Sequence, residues 1–431
     1  MRPLAIDLFC GAGGMSEGVL QAGFHIIYSN DISVDAATTY KNRHEQLGLI
    51  QGCNTWLDVC DIRNITYSRI KHNISNLTSF KNDDLNISAI FGGPPCQGFS
   101  RAGKQKEADI RNTLFKEYLR LISEIKPSYV VFENVPGILD IKFNNFSSIF
   151  DNEIYNNFSA VDIIIKELKK IEYDVLDYKI LNAADYGVPQ NRYRLILIAY
   201  KNNCKKPSYP TPTKDIVTVQ DALYDIEYGQ ITSDYQIKSI EGRSKNILTN
   251  ENIGCKELYN NERTKHNLYI KERFELFQEG ENIEQLKKRI YNDGILLRDK
   301  KHLLKFMSEK LDKKPNEIID MFKNKSFTDN DLNILLTKKA ARIKLSKMQP
   351  SCTILTLPDD IISPFDNRIF TVRELARLQS FDDSFIFYGK RTTGSLSRKS
   401  ETPQYTQVGN AVPPLLAKAI AESIIECINN E

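Results

Sequence analysis

The chain has 431 residues, of which 41% are hydrophobic and 26% are charged, and its net charge is +3. This composition is typical of a globular protein and excludes a fibrous or largely disordered chain. No apolar run approaches the roughly 18 residues that a membrane span requires, and the first residues lack a signal-peptide pattern. We therefore expect a cytoplasmic protein that is long enough for two domains.

The positive charge is concentrated in the middle of the chain. Residues 205–347 carry 28 Lys+Arg and 22 Asp+Glu, a net +6, which leaves −3 for the remainder. A near-neutral body with a basic insert favours a nucleic-acid partner. The eight cysteines are scattered without a C-x-x-C pair. They predict neither a zinc site nor a disulfide framework, and no metal is expected.

The first 200 residues repeat one pattern, in which a short apolar run leads into a turn and then into a helix-like segment. The apolar runs predict buried strands at 3–9, 25–29, 87–91, 129–132 and 194–199. The segments between them predict helices at 14–22, 34–40, 114–125 and 161–171. Alternating strands and helices indicate an α/β protein with a parallel sheet and helices on both faces. Ligands of such sheets bind beyond the carboxyl ends of the strands.

The later part of the chain reads differently. From about 201 to 350 it is polar and helical in texture, with amphipathic helices predicted at 274–291 and 301–311. A further helix is predicted at 373–379. Residues 407–414 predict a Gly-Asn turn that leads into a closing helix at 415–428. The middle is either a solvated helical insertion or a second domain that contacts the substrate.

The turn after the first strand, residues 11–14, consists of Gly-Ala-Gly-Gly and opens a helix. Glycines there allow a nucleotide-like ligand to approach the backbone, although a tight connection would use the same residues. Asp31 ends the second strand, where a carboxylate can bind ribose hydroxyls. Asp61 is placed to accept a hydrogen bond from an adenine amino group. Either acid alone would more often be a turn residue.

The candidate nucleophile is Cys96, which follows a buried strand and the sequence Gly-Gly-Pro-Pro. Pro94 and Pro95 each fix a φ angle, so the backbone that leads to Cys96 is stiff. The alternative is a buried cysteine that acts as a small hydrophobe. The basic segment 100–111 follows, and a mobile basic loop next to a nucleophile suits a polyanionic substrate.

Two further strands carry charged side chains at their ends. Glu133 follows four apolar residues, so its carboxyl should be desolvated and its pKa raised, which suits a proton donor. Arg192 and Arg194 lie on one side of the start of a strand and could orient a base or a carboxylate. A structural Glu-Asn turn and a solvated edge are the corresponding alternatives.

In this order, the segments resemble the motifs of the C5-cytosine-specific DNA methyltransferases, and the resemblance spans nearly the whole chain. The matching segments are DLFCGAGG (7–14), GPPCQGFS (93–100), DIRNTLF (109–115), ENV (133–135), YGVPQNRYR (186–194), RELARLQSF (373–381) and QVGN (407–410). There are two departures: Asn112 stands where the family commonly has glycine, and Asn191 where it often has a basic residue.

The resemblance implies a Rossmann-like S-adenosylmethionine-dependent methyltransferase sheet with a smaller target recognition domain. It implies a catalytic and cofactor-binding domain at 1–200, a target recognition domain at 201–364 and a C-terminal part at 365–431 that completes the catalytic domain. The cofactor would be S-adenosyl-L-methionine, with S-adenosyl-L-homocysteine as product. The residues implied to bind it are Phe9, Gly11, Gly13, Gly14, Asp31, Ile32, Asp61, Ile62, Pro94, Leu114, Asn410 and Val412.

The resemblance also implies a mechanism. Cys96 would attack C6 of a cytosine flipped out of the duplex, and Glu133 would contact N3 and the exocyclic amine. Arg192 would hold O2 of the base and help set Glu133, and Arg194 would support that network. The residues implied to contact DNA are Gln97, Ser100, Arg101, Lys104 and Arg111.

The implied partner is double-stranded DNA, bound by a monomer that works in restriction-modification, with or without a cognate restriction endonuclease, or as an orphan methylase. One alternative is a tRNA cytosine-5 methyltransferase, but that subfamily is compact and carries a Cys-Phe-Thr signature that this chain lacks. The other is a catalytically silent DNA-binding paralogue. Such proteins usually lose the cysteine or the glutamate, and Cys96 and Glu133 are both present.

Overall fold

The computed structural model describes residues 2–80, 85–95, 113–140, 142–337, 341–393 and 401–430. The strands are β1 Leu4–Leu8, β2 His25–Asp31, β3 Trp56–Val59, β4 Ile87–Gly92, β5 Tyr129–Asn134, β6 Lys142–Phe143, β7 Phe146–Ser147, β8 Ile154–Tyr155, β9 Phe158–Ser159, β10 Tyr173–Val175, β11 Lys179–Asn182, β12 Tyr193–Lys201, β13 Ile343–Lys344 and β14 Ile361–Ile362.

The helices are α1 Gly14–Ala22, α2 Val34–Gln46, α3 Tyr67–Ser75, α4 Phe115–Ile125, α5 Ala160–Lys170, α6 Val219–Tyr228, α7 Asp234–Glu241, α8 Leu268–Phe274, α9 Ile283–Asp293, α10 Lys301–Leu311, α11 Pro315–Lys323, α12 Asp329–Leu336, α13 Val372–Leu378, α14 Gln404–Asn410 and α15 Pro414–Ile428. Within the described ranges, no helix is long and apolar enough to cross a bilayer.

The central sheet has the strand order β10-β12-β5-β4-β1-β2-β3, and β11 also pairs with β12. The strands from β5 to β3 are parallel to one another, whereas β12 is antiparallel to β5, β10 and β11. The predicted parallel sheet is therefore confirmed for five strands, and its far edge is antiparallel. The short connection from β11 to β12 fits the antiparallel pairing of these two strands, because parallel neighbours need a long crossover.

Strand alternation gives the sheet two apolar faces. Along β1, Leu4, Ile6 and Leu8 point into one core with helices α3, α4 and α5. Ala5 points into the other core, which α1 and α15 cover. Helices on both faces leave the carboxyl ends of the strands as the open edge. Chain order reverses between β1 and β4, which creates the crevice where sheets of this kind bind ligands.

Helix α1 lies against α15 through two glycines that leave no room for a side chain. A Cβ placed on Gly18 would lie 2.3 Å from the Pro414 carbonyl oxygen, and one on Gly14 would lie 2.3 Å from the Val412 carbonyl oxygen. Backbone atoms cannot yield as a flexible side chain can. The glycines therefore fix how closely the C-terminal helix approaches the first turn of α1.

We predict that Gly18→Ala destabilises the protein, although alanine is the better helix former. The clash with the Pro414 carbonyl should lower the free energy of unfolding by about 1–3 kcal/mol. Without the clash, alanine would raise it by up to about 1 kcal/mol. Urea unfolding followed by circular dichroism measures the difference, and an unchanged or higher midpoint would contradict the close packing of α1 on α15.

The polar middle of the chain contains two differently packed parts. Helices α8 to α12 bury their own core, with Phe274, Leu286 and Met307 among its members. Helices α6 and α7 instead share a core with the C-terminal part, in which Val219 and Leu375 are buried. The domain boundaries at 200 and 364 remain a prediction.

Two sequence-based expectations in this region were wrong in part. The helix predicted at 274–291 is divided, because α8 ends at Phe274 and α9 begins at Ile283. Gly280 has a φ of 78° between them, and Asn282 caps α9 through a hydrogen bond from the Gln285 N–H. The turn predicted from 407 is the last turn of α14. The helix predicted at 301–311 is confirmed as α10.

Candidate active site

The loop after β1 is held in a sharp turn by the acid that ends β2. Phe9 and Gly11 have φ angles of 62° and 54°, and glycine at position 11 adopts that conformation without strain. The Asp31 carboxylate accepts hydrogen bonds from the Gly11 N–H and the Ser33 N–H, both at 2.8 Å. Burial raises the pKa of Asp31, against which these backbone hydrogen bonds act. Asp31 therefore shapes the loop besides presenting a carboxylate at its edge.

The space beside Gly11 is open. Among the described residues, no atom would lie within 4 Å of a Cβ built on Gly11. Ile32, which follows Asp31, exposes 66% of its surface. Asp61 begins a 3₁₀ turn after β3 and is bound by Arg63 at 2.5 Å. Asp31 at the end of β2 and Asp61 after β3 thus follow neighbouring strands, and Ile32 exposes an apolar side chain next to Asp31.

The other residues predicted to bind the cofactor differ in burial. Gly13 has a φ of 101°, and Gly14 packs against the carbonyl of Val412. Asn410 ends α14 and is exposed. Ile62 and Pro94 are buried, and Leu114 is partly buried at the start of α4. The structure therefore packs the segment that contains Val412 against the β1 turn. Predicted cofactor residues from the two ends of the chain thus lie together there.

We predict that Asp31→Ala weakens binding of the methyl donor or its product. The change removes both the carboxylate and the acceptor of the Gly11 N–H, and a charged hydrogen bond of about 1.5–3 kcal/mol corresponds to a Kd about 10- to 100-fold higher. Calorimetric titration with S-adenosylhomocysteine measures it. The control is Asp382→Asn. Asp382 is also a buried acid, and it accepts a hydrogen bond from the Arg243 backbone N–H. Its variant should bind S-adenosylhomocysteine normally. Equal loss in both variants would contradict a direct role for Asp31.

Glu133 lies near the end of β5 and is 7% exposed. Its Oε1 is 2.8 Å from Nε of Arg194. Burial raises the pKa of Glu133, and the charges of Arg194 and Arg192 oppose that effect. The net direction is upward, as the sequence predicted for a desolvated carboxyl. A raised pKa favours the protonated form of this carboxyl, which suits a proton donor.

Arg192 and Arg194 have different hydrogen-bond partners, which the sequence did not predict. Arg194 makes the direct contact with Glu133. Arg192 is 1% exposed and donates from Nη1 to the Ile354 carbonyl at 3.0 Å and from Nη2 to the Gly409 carbonyl at 2.8 Å. It acts on Glu133 through its charge. Its Nε has no hydrogen-bond partner within the described part of the chain.

The approach to Cys96 is joined to the Glu133 strand. Asn134 donates from Nδ2 to the Pro94 carbonyl at 3.0 Å. A Cβ on Gly93 would lie 2.8 Å from Oε2 of Glu133, so a glycine is needed for this carboxylate position. Cys96 follows Pro95 in the chain but lies outside the described residues, as do the predicted DNA contacts Gln97, Ser100, Arg101, Lys104 and Arg111.

A buried acid beneath the β1 turn was missed from the sequence. Asp7 accepts a hydrogen bond from Ser16 Oγ at 2.5 Å, and Ser16 is also within 2.8 Å of the Tyr40 hydroxyl. Burial raises the pKa of Asp7 to about 7. The available signal was a carboxylate inside an otherwise apolar strand. Two buried glutamines, Gln190 and Gln379, were missed as well, because glutamine alone carries no catalytic signature.

Comparison with known proteins assigns this arrangement to a family. The family model described as C-5 cytosine-specific DNA methylase matches residues 4–426. The chain belongs to this family. The prediction of a cytosine-5 DNA methyltransferase from the order of the motifs is thereby confirmed at the level of the family.

Curated relatives agree along the whole length. The chain is 31% identical over 428 residues to the Type II methyltransferase M.DdeI of Desulfomicrobium norvegicum, which covers 97% of this chain and 88% of that protein. It is 30% identical to M.XorII of Xanthomonas oryzae pv. oryzae, over 100% of this chain and 86% of the relative. A solved structure described as a DNA modification methyltransferase encoded within an E. coli prophage matches with a TM-score of 0.64, at 24% identity and 99% coverage of both chains. That likeness supports the fold.

Proposed function

We propose that this methylase transfers a methyl group to C5 of a cytosine in duplex DNA through a covalent bond between Cys96 and C6 of the base. The observation that carries the proposal is the buried Glu133–Arg194 pair, which lies against Gly93 on the approach to Cys96. An acid with a raised pKa, an arginine that fixes it and a cysteine three residues after Gly93 in the chain form a set suited to activating a ring for nucleophilic attack.

The residues around the β1 turn fit S-adenosylmethionine. The open space at Gly11 leaves room for the backbone to be approached, and the Asp31 carboxylate stands at the end of the adjacent strand. Asp31 would bind ribose hydroxyls, Asp61 would accept from the adenine amine, and Ile32 would contact the adenine ring. When bound, S-adenosylmethionine supplies an electrophilic methyl group.

The chemistry follows from the weak nucleophilicity of cytosine C5. The Cys96 thiolate adds to C6, and protonated Glu133 hydrogen-bonds to N3, which draws electrons toward the ring nitrogen. C5 then carries enamine character and would be nucleophilic enough to accept the methyl group of bound S-adenosylmethionine, whose sulfur would keep the electron pair of the broken S–CH3 bond as S-adenosylhomocysteine. A base removes the proton from C5, and the electron pair of the C5–H bond expels the Cys96 sulfur. Arg194 keeps Glu133 oriented throughout, and the charge of Arg192 favours negative charge developing nearby.

The substrate proposed for this site is double-stranded DNA, with the helical middle of the chain as its target recognition domain. Residues 205–347 carry the excess positive charge, which complements phosphate. The relatives M.DdeI and M.XorII are named Type II methyltransferases. By analogy we assign this chain to sequence-specific modification, with or without an accompanying endonuclease.

The experiment is to express the chain in a host free of DNA methylation and to analyse the host DNA by nucleoside mass spectrometry. We expect 5-methylcytosine, and sequencing of methylated positions should then give one recognition sequence. Glu133→Ala and Cys96→Ala expressed at equal soluble levels are the negative controls. Absence of 5-methylcytosine with folded wild-type protein, or methylation confined to transfer RNA, would contradict the proposal.

A further inference from the structure

Two buried glutamines connect three separate parts of the chain. Gln190, in the loop before β12, donates from Nε2 to Oε1 of Gln379 at 2.7 Å. Gln379, at the end of α13, donates from Nε2 to the Val408 carbonyl in α14 at 2.8 Å. Oε1 of Gln190 accepts from the Ile354 N–H at 2.8 Å. Both glutamines are fully buried. We call this pair, Gln190 and Gln379, the glutamine bridge.

The direction of every hydrogen bond in the glutamine bridge is fixed by its two ends. The Ile354 N–H can only donate, and the Val408 carbonyl can only accept. Each amide therefore has one orientation, which removes the usual ambiguity of an Asn or Gln side chain. A buried amide that loses a hydrogen-bond partner is costly, so removing either glutamine takes the shorter of its hydrogen bonds from the other. The bridge thus behaves as one unit.

The glutamine bridge holds residues 351–355, the exit segment, through which the chain returns from its helical middle. Ser351 N–H donates to the Pro189 carbonyl at 2.9 Å, and Asn191 N–H donates back to the Ser351 carbonyl at 2.8 Å. The Thr353 hydroxyl donates to the Asn191 carbonyl at 2.8 Å. The loop before β12 is therefore bound along one side of the exit segment.

Helix α14 packs against the other side of the exit segment. A Cβ on Gly409 would lie 2.5 Å from the Leu355 carbonyl oxygen, so this approach excludes any side chain. Arg192 spans the same gap, because its guanidinium donates to the carbonyls of Ile354 and Gly409. The exit segment is thus enclosed between the loop that leads to Arg194 and the helix that ends at Asn410.

We propose that Gln379 is a positioning residue for methyl transfer. Through Gln190 it sets the loop that leads into β12, where Arg194 contacts Glu133. Through Val408 it sets the end of α14 next to the β1 turn. The proposal rests on the proposed function for its kinetic consequence. Its structural consequence, that Gln379 holds the exit segment and α14 together, is independent of that function.

The test compares Gln379→Leu with the matched control Gln236→Leu. Gln236 is also fully buried, and its amide bonds to the Gln220 carbonyl and the Thr232 N–H. Single-turnover methyl transfer is measured at saturating DNA and methyl donor, below the unfolding midpoints of both variants. Hydrogen exchange of peptides covering 351–355 and 408–412 is measured in the same proteins.

We expect Gln379→Leu to lower the single-turnover rate constant about tenfold, the change that one misplaced hydrogen bond produces. Exchange at 351–355 should rise, although position 379 lies on another element. Gln236→Leu should stay within about twofold of the wild type. The double variant Gln190→Leu, Gln379→Leu should be no slower than the slower single variant, because residues that act as a unit are not additive.

Equal rates in Gln379→Leu and Gln236→Leu would overturn the proposal, as would additive losses in the double variant. Unchanged exchange at 351–355 would overturn it as well. If the wild type itself transfers no methyl group to DNA, the proposed function fails instead. Hydrogen exchange alone then tests the structural role of Gln379. Faster exchange at 351–355 in Gln379→Leu than in the wild type supports the glutamine bridge, and equal exchange contradicts it.

Discussion

Replacing Glu133 by glutamine is expected to lower the rate of methyl transfer by about 10²- to 10⁴-fold, the usual contribution of a positioned acid. Glutamine has nearly the same shape and can still accept from Nε of Arg194, so the fold should persist. It can neither carry a proton to the ring nor pair its charge with Arg194. Single-turnover kinetics at saturating DNA measure the loss.

The pH dependence should change with the same substitution. Burial raises the pKa of Glu133, against the opposing charges of Arg194 and Arg192. In the proposed mechanism the protonated form is the active one, so we expect the wild-type rate to fall as pH rises through that pKa. The free energy of unfolding should decrease over the same interval, because the folded state binds this proton more tightly than the unfolded chain does. Glu133→Gln should lack both effects at this group.

Glu167→Gln is the matched control for these measurements. Glu167 is also a buried acid. It lies in helix α5 and accepts hydrogen bonds from the hydroxyls of Ser148 and Tyr155. We expect Glu167→Gln to lower the free energy of unfolding. The protein that remains folded should transfer methyl groups at a rate close to that of the wild type. If Glu133→Gln retained the wild-type rate, or if both variants slowed equally, Glu133 would not be the acid of the reaction.

Replacing Cys96 by alanine should lower methyl transfer by at least about 10⁴-fold, because the reaction then lacks the proposed nucleophile. Cytosine C5 is too weakly nucleophilic to be alkylated without covalent activation of the ring. Binding of S-adenosylhomocysteine should remain, since the residues around Gly11 and Asp31 that we propose bind the cofactor are unchanged. Calorimetry and the single-turnover assay on the same protein separate the two effects.

Cys53→Ala provides the control for this thiol. Cys53 is partly exposed and lies beside Ser79, on a connection between β2 and β3. Its removal should leave methyl transfer and donor binding unchanged. Residual activity of Cys96→Ala within about tenfold of the wild type would exclude a covalent mechanism, since deleting a nucleophile costs far more than that.

The sheet could be predicted from the sequence because its strands are buried on both faces. Continuous apolar runs that end in glycine-rich turns, such as residues 87–91, mark such strands without reference to the rest of the chain. The antiparallel edge formed by β10, β11 and β12 could not be predicted in the same way. Pairing direction depends on connection length and on which edge is free, and apolar periodicity records neither.

Individual residues of the candidate site stand out in the sequence where their chemistry is unusual for their position. Glu133 stood out because a carboxylate after four apolar residues must find a partner when buried. The choice of that partner was not predictable. Arg192 and Arg194 share a side of the strand start, and only the folded chain shows that Arg194 reaches Glu133 while Arg192 turns to Ile354 and Gly409.

Long-range contacts account for the rest of what the sequence did not show. Gln190 meets Gln379 across 189 positions of sequence, and no local pattern records such a contact. The helix predicted over 274–291 was divided for a local reason instead. Gly280 and the capping pair Asn282 and Gln285 were present in the sequence as signals of a helix start.

The most direct test of the account is whether Cys96 forms a covalent bond with the target base. The wild-type protein is mixed with its methyl donor and with duplex DNA in which 5-fluorocytosine replaces cytosine, so that the fluorine at C5 blocks release. We predict a stable protein–DNA adduct that requires the donor, and peptide mass spectrometry should place the bond at Cys96. Absence of an adduct in active protein, or an adduct that persists in Cys96→Ala, would contradict the account.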